Sequence, residues 1–167
     1  MKKFHFKNFM LVKSVFLMAI VSCATFDRNS LRQSRTFSYC KSEGAKYCCT
    51  VYSMQLLRNY NYLKVLGSHE EEHRFLYSDS SCIYITNDSK SGSPLNYINA
   101  KTFGAEIYSK KLLQDTLIIE GRQSDGRLWK ESKLGDITVG YVNVSKVNAP
   151  LYNDALNSIR IKKSSCK

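Results

Sequence analysis

The chain has 167 residues, of which 43% are hydrophobic, and a formal net charge of +11. A hydrophobic fraction of this size excludes a disordered tail, because it supports a folded core. Residues 1–22 carry four lysines and no acidic residue, so net +7 stays on the 145 residues that follow. That length predicts a single domain.

The first 22 residues have the layout of an export signal. Four lysines precede a short apolar run, Val15–Val21, which ends at Ser22 and Cys23. The run is shorter than the roughly 20 apolar residues that a membrane-spanning helix needs. The tetrapeptide Ile20-Val21-Ser22-Cys23 resembles the lipobox of bacterial lipoproteins, which implies cleavage before Cys23 and acylation of that cysteine. The alternative is cleavage after Ala24, which would release a secreted protein without lipid.

The composition of residues 23–38 predicts a flexible tether between the lipidated cysteine and a single domain over residues 39–167. The segment holds three arginines among serine, threonine, asparagine and glutamine residues, and it shows no apolar period. The domain organisation predicted from sequence is therefore an export signal over 1–22, a tether over 23–38 and one domain that starts at Tyr39.

The first half of the domain predicts short strands. Residues 47–57 and 62–66 are rich in Val, Tyr and Thr, which favours two strands joined by a turn over a helix across 51–66. Residues 74–77 and 82–86 predict two further strands on either side of the polar turn 78–81. A loop over 87–94 and a short helix within 103–113 complete this half.

The second half predicts a three-stranded meander followed by a helix. Strands are indicated over 116–120, 127–133 and 137–144, and Asp125-Gly126 between the first two is a preferred dipeptide of type I′ hairpin turns. Pro150 opens a helix with one apolar face, whose residues are Leu151, Ala155, Leu156 and Ile159. A sheet covered on one face by a terminal helix belongs to the α+β class.

The end of the chain resembles the closing part of PsbP-like domains. The residues that carry this resemblance are the strand Leu128-Trp129-Lys130-Glu131, the segment Val139-Gly140-Tyr141, and a helix that runs through Ala155 to Ile161. The chain also resembles small lipoproteins of Bacteroides-type bacteria. These resemblances imply a mostly antiparallel sandwich with a C-terminal helix on one face, and a non-catalytic binding or assembly role.

Five cysteines follow Cys23 and are candidates for disulfides in an exported protein. Five thiols allow at most two internal bridges and leave one cysteine over. Adjacent cysteines in a strand point to opposite faces and can take different partners. The connectivity stays open among Cys40, Cys48, Cys49, Cys82 and Cys166.

One motif suggests an enzyme. His69-Glu70-Glu71-Glu72-His73 matches H-E-x-x-H, in which two histidines on one helical face bind zinc and the glutamate acts as general base. The alternative function is therefore a zinc hydrolase that uses His69, Glu70 and His73. The preceding glycine and the charged intervening residues favour an exposed acidic segment instead, so we predict neither a cofactor nor a catalytic residue.

The positive charge does not predict nucleic-acid binding, because an export signal places the chain away from nucleic acid. The basic residues look scattered except for the stretch 160–163, which indicates a solvated surface or attraction to anionic lipid headgroups. The eleven tyrosines predict half-buried sheet positions or a groove for a glycan or peptide. The sequence thus predicts a lipid-anchored binding or scaffolding protein of the cell envelope, whose partners are the bilayer and an envelope protein or ligand.

Overall fold

Antiparallel strands dominate the part of the chain that the computed structural model describes, which is residues 31–67, 70–87 and 113–166. The strands are β1 (Arg32–Glu43), β2 (Lys46–Leu57), β3 (Asn61–Leu66), β4 (Glu71–Leu76), β5 (Cys82–Thr86), β6 (Thr116–Arg122), β7 (Leu128–Leu134), β8 (Ile137–Val144) and β9 (Arg160–Cys166). One helix, α1 (Ala149–Asn157), lies between β8 and β9. The predicted class, a mostly antiparallel sheet with a helix near the C-terminus, is confirmed at this level.

The strands form two sheets. The small sheet has the order β1-β2-β9, and the large sheet has the order β3-β4-β5-β8-β7-β6. All neighbouring strands in both sheets are antiparallel. Most neighbours in the large sheet are joined by short turns, whereas β9 reaches β2 from the far end of the chain. The hairpin β1–β2 therefore gains its third strand only because residues over 100 positions apart pair with each other.

Glycine and asparagine at positive φ set the turns that the sequence indicated. Asn59 (φ 62°) lies between β2 and β3, and Gly135 (φ 61°) lies between β7 and β8. The hairpin at Asp125-Gly126 is also present, but only Gly126 has positive φ, and its N–H donates to the carbonyl of Gln123. The predicted type I′ geometry is therefore wrong, because the turn spans four residues and uses glycine at its last position.

The main core lies where the small sheet, the large sheet and α1 meet. Alternate residues of β1 and β2 point inward, and the buried side chains among them are Phe37, Tyr39, Tyr52, Met54 and Leu56. The large sheet supplies a second set, comprising Phe75, Ile83, Ile85, Ile137, Val139, Tyr141 and Val144. Because both sheets contribute, neither can bury its apolar face without the other.

Helix α1 contributes Tyr152, Ala155 and Leu156 to the core, where they pack with residues of β2 and β8. Pro150 stands in its first turn, as predicted, where a missing N–H costs nothing. The prediction that the helix extends through Ile161 is wrong. The helix ends at Asn157, and Ile159 is buried in the core immediately before β9 begins.

The predicted tether over 23–38 and the domain start at Tyr39 need correction as well. Residues from Arg32 onward form β1, which pairs with the whole length of β2. The prediction was wrong because polar residues such as Ser34 and Thr36, which are typical of a linker, here occupy the exposed side of an edge strand. Only alternate positions of such a strand contact the core, and Phe37 and Tyr39 are the apolar ones. The predicted loop 88–94 and helix 103–112 lie outside the described residues.

Candidate functional site

Two disulfides crosslink the three strands of the small sheet at one end. Cys40 lies opposite Cys49 in the β1–β2 register, and Cys48 lies opposite Cys166 in the β2–β9 register. Each opposed pair is bonded. Cys48 and Cys49 serve different strands because consecutive residues of β2 point to opposite faces. Disulfides persist in oxidising compartments, so this pairing is compatible with an exported protein.

The fifth cysteine, Cys82, is a free and buried thiol on β5. Burial raises the pKa of Cys82 to about 12, so the reactive thiolate is not populated at neutral pH. Its neighbours in the core are Trp129 and Val142, which makes it a small packing residue. This thiol has neither the exposure nor the ionisation that a nucleophile requires.

The small sheet also carries the net positive charge of the described residues. Its three strands carry seven basic residues and one acidic residue, net +6, the basic ones being Arg32, Arg35, Lys41, Lys46, Arg160, Lys162 and Lys163. The rest of the described residues carry eight basic and ten acidic residues, net −2. Basic residues that look scattered in sequence therefore share one sheet, because β9 lies beside β2.

Most of this charge is exposed and unpaired. Arg32 and Lys41 form ion pairs with Asp154 and Asp136, at 2.8 and 2.7 Å. The other five cations are exposed and have no ion pair with any described residue. Arg35 donates from Nε to the Tyr60 hydroxyl at 2.6 Å, which leaves its charge uncompensated. The small sheet is thus a basic surface and not a network of ion pairs.

An apolar groove opens between the free edges of the two sheets. Among the described strands, β9 is an edge of the small sheet and β6 is an edge of the large sheet. Two adjoining cavities of about 420 and 550 Å³ follow these edges, and they share Thr116, Leu134, Ile159 and Arg160 in their linings. Ile118 and Ile161 stand at the groove with 64% and 66% of their surface exposed. The exposed isoleucines and the unpaired strand edges make this groove the best binding site that the described residues form.

The H-E-x-x-H segment does not have the helical context that zinc binding requires. Residues Glu71–Leu76 form β4, so successive side chains alternate between faces. Glu70 precedes the strand and is exposed, and His69 lies outside the described residues. Among the residues that are described, no group of three His, Cys, Asp or Glu side chains is placed to hold a metal ion.

His73 is instead a buried residue at the edge of the core. Its Nδ1 lies 2.6 Å from the Tyr62 hydroxyl, and its Nε2 lies 2.8 Å from a carboxylate oxygen of Glu71. Burial lowers the pKa of His73, against an opposing effect of Glu71, and the nearby Lys64 lowers it further. The ring thus shares a hydrogen bond with Tyr62 at Nδ1, whereas Nε2 lies beside the Glu71 carboxylate without forming a hydrogen bond. The ring also packs against Phe37 and Tyr39, so this histidine belongs to the edge of the core.

The tyrosines divide between core and surface instead of lining one groove. Of the nine tyrosines that the structure describes, five are buried, namely Tyr39, Tyr52, Tyr84, Tyr141 and Tyr152, whereas Tyr47 and Tyr62 are about half exposed. Tyr84 is fully buried and donates to the Glu131 carboxylate at 2.9 Å. Its ring lies against Gly140, where an added Cβ would overlap the phenol. Glycine at this position thus leaves room for a tyrosine packed over the strand.

Cys23 lies outside the described residues, so the predicted lipidation site has no structural description. Within the described ranges, no helix has the length and hydrophobicity that a membrane crossing requires. The basic small sheet and the groove are the features that sequence reasoning missed, since both depend on the pairing of β9 with β2. The paired cysteines near residues 48 and 166 are the sequence signal that links these segments. No known protein family, curated protein or solved structure matches this chain.

Proposed function

We propose that the chain is an exported bacterial lipoprotein, anchored through an acylated Cys23, whose domain binds an envelope partner without catalysing a reaction. The two disulfides that join all three strands of the small sheet are the main support for an exported location. A reducing cytoplasm would not keep both bonds. The lysines, the short apolar run and the lipobox-like tetrapeptide support the anchor.

The PsbP-like character of the domain is part of this proposal. The meander β6-β7-β8 followed by α1 supports it, because the order of elements is the one that the resemblance implies. The strand β9 goes beyond that layout and completes the small sheet.

The groove between β6 and β9 is the binding site in this proposal. Its occupant is an extended, apolar segment of an envelope protein, for two reasons. The groove presents Leu134, Ile159 and the exposed Ile118 to a ligand. None of the described strands pairs with the outer edge of β6, and an extended chain can pair with the backbone there. Apolar side chains and a paired backbone together give such a segment both affinity and register.

The anchor is tested by partitioning the protein, expressed with its signal in a bacterial host, between detergent and aqueous phases. The native chain should enter the detergent phase and incorporate labelled fatty acid, whereas Cys23→Ala should lose both properties. The matched control is the double variant Cys40→Ala/Cys49→Ala, which removes two other cysteines and should keep the label. A Cys23→Ala protein that still partitions into detergent would contradict the anchor.

The groove is tested with the neutral fluorescent probe N-phenyl-1-naphthylamine. Ile118→Asp places a charge on the groove wall and should weaken probe binding about tenfold or more, because an apolar contact is replaced by a solvated carboxylate. Val147→Asp is the control, since Val147 is 88% exposed and lies outside the groove linings. Equal probe binding by the two variants would show that the groove is not the apolar site.

A further inference from the structure

The net positive charge of the described residues is concentrated on the small sheet. The small sheet has net +6, and the remaining described residues have net −2. The strands of the large sheet have net +1, so the surplus of acidic residues lies on the turns and the helix. Such an asymmetric distribution creates a directional field that orients the molecule toward an anionic surface.

The exposed cations concentrate on β9 and the neighbouring end of the sheet. All seven residues of β9 are exposed, and Arg160, Lys162 and Lys163 are among them. Lys46 begins β2, next to the disulfides that fix β9 in place. Because Cys48–Cys166 holds the end of β9 against β2, these charges are presented on a rigid strand and not on a loose tail.

The position of the small sheet in the chain places it near the anchor. Eight residues lie between Cys23 and Arg32, the first residue of β1. The nine Cα–Cα steps from Cys23 to Arg32 span at most about 30 Å, so an acylated Cys23 keeps the start of β1 within that distance of the bilayer. Electrostatic attraction to an anionic bilayer acts over about 8–10 Å at physiological salt, which a sheet confined so closely can reach.

We propose that the small sheet docks the domain onto the anionic lipid surface in which Cys23 is anchored, through Lys46, Arg160, Lys162 and Lys163. This inference rests on the proposed lipid anchor and adds an orientation to it. With the small sheet on the headgroups, the edge β9 faces the lipid and the large sheet, whose strands have a net charge of only +1, faces away. The anchor and the basic surface act as two signals, and together they hold the protein more firmly than either does alone.

A nucleic acid is the other polyanion that a basic sheet can attract. Single strands are bound by aromatic side chains on which successive bases stack. On the strands of the small sheet, Tyr47 is the one aromatic residue that the structure describes as more than half exposed. Isolated stacking on one tyrosine does not make a strand-binding groove, so headgroup phosphates fit this surface better.

The test uses a chain of residues 24–167, which carries no lipid and contains the compact unit Arg32–Lys167. Its binding to vesicles of phosphatidylcholine with 30% phosphatidylglycerol is measured by sedimentation. Each lysine near the surface contributes about fivefold to binding, so Lys162→Gln/Lys163→Gln should weaken binding about 30-fold. Vesicles of phosphatidylcholine alone, or 0.5 M salt, should abolish binding.

The matched control is Arg122→Gln/Lys146→Gln, which removes two exposed cations outside the small sheet. It should keep nearly native vesicle binding although its net charge equals that of the β9 variant. Equal losses in the two variants would overturn the proposal, since net charge alone would then explain binding. Tighter binding to a 20-nucleotide single strand than to the vesicles, lost in the β9 variant, would overturn it in favour of nucleic acid. Failure of vesicle binding leaves the anchor intact, because detergent partitioning tests the anchor separately.

Discussion

The two disulfides should contribute unequally to stability, because they close loops of very different length. Cys48–Cys166 joins residues 118 positions apart, whereas Cys40–Cys49 joins residues 9 positions apart within one hairpin. A crosslink stabilises mainly by restricting the unfolded chain, and the restriction grows with loop length. We therefore compare Cys48→Ala/Cys166→Ala with Cys40→Ala/Cys49→Ala, each of which removes one bond and two sulfur atoms.

Loop-closure entropy gives the magnitude. The 118-residue loop is worth about 4.9 kcal/mol at 25 °C and the 9-residue loop about 2.6 kcal/mol, so the variants should differ by about 2.3 kcal/mol. The side chains add to this difference in the same direction, since Cys48 is buried and Cys40 is exposed. A loss of about 4.9 kcal/mol is a third or more of the stability of an ordinary domain.

The assay is urea unfolding followed by tryptophan fluorescence, since Trp129 is the only tryptophan and is buried on β7. With a denaturant dependence of about 1.5 kcal/mol per molar urea, the two midpoints should differ by about 1.5 M. The variant without Cys48–Cys166 should unfold first. Equal midpoints, or a lower midpoint for the variant without Cys40–Cys49, would refute the reasoning from loop length.

Three further outcomes follow from the packing. Gly140→Ala should lower the free energy of unfolding by roughly 3 kcal/mol in the same urea assay, because the added Cβ would overlap Tyr84. Gly135→Ala should lower it by about 1 kcal/mol, because the space there is open and only φ is strained. Equal losses would contradict the close packing of Tyr84 on Gly140. His73 is held neutral with a lowered pKa, so the unfolded chain binds a proton more readily; stability should fall as the pH drops below the ordinary histidine value of about 6.5, and His73→Gln should flatten that slope. In protein that is unfolded without reductant, Cys82 should be the only one of the five cysteines after Cys23 that reacts with Ellman's reagent. Rapid labelling of the native protein would contradict the burial of Cys82.

The sequence predicted the strands that have a strong local β propensity. Residues 82–86 and 137–144 are β-branched and aromatic, and both are strands in the structure. The turns around Asn59 and Gly135 were predicted because these residue types tolerate positive φ. Local propensity was sufficient in these places because neighbouring strands pair through short connections.

The segments that sequence reasoning misassigned are those whose structure depends on distant partners. Residues 32–38 look like a linker, but β2 pairs with them and the core accepts Phe37. Residues 160–166 are polar and basic, yet they form β9 because β2 offers a free edge and Cys48 a covalent partner. The basic surface and the groove border β9, so neither was visible before this strand was placed.

The lipid anchor at Cys23 is the central claim, and the intact mass of the protein isolated from its own cells tests this anchor most directly. With the anchor present, the mature chain should start at Cys23 and carry the mass of a diacylglyceryl or triacylated cysteine. Alkylation should add four groups to it only after reduction. Those four groups belong to the two disulfides, and a fifth appears on Cys82 when the chain is unfolded. A lipid-free chain that starts at Thr25 would contradict the account and identify a freely secreted protein.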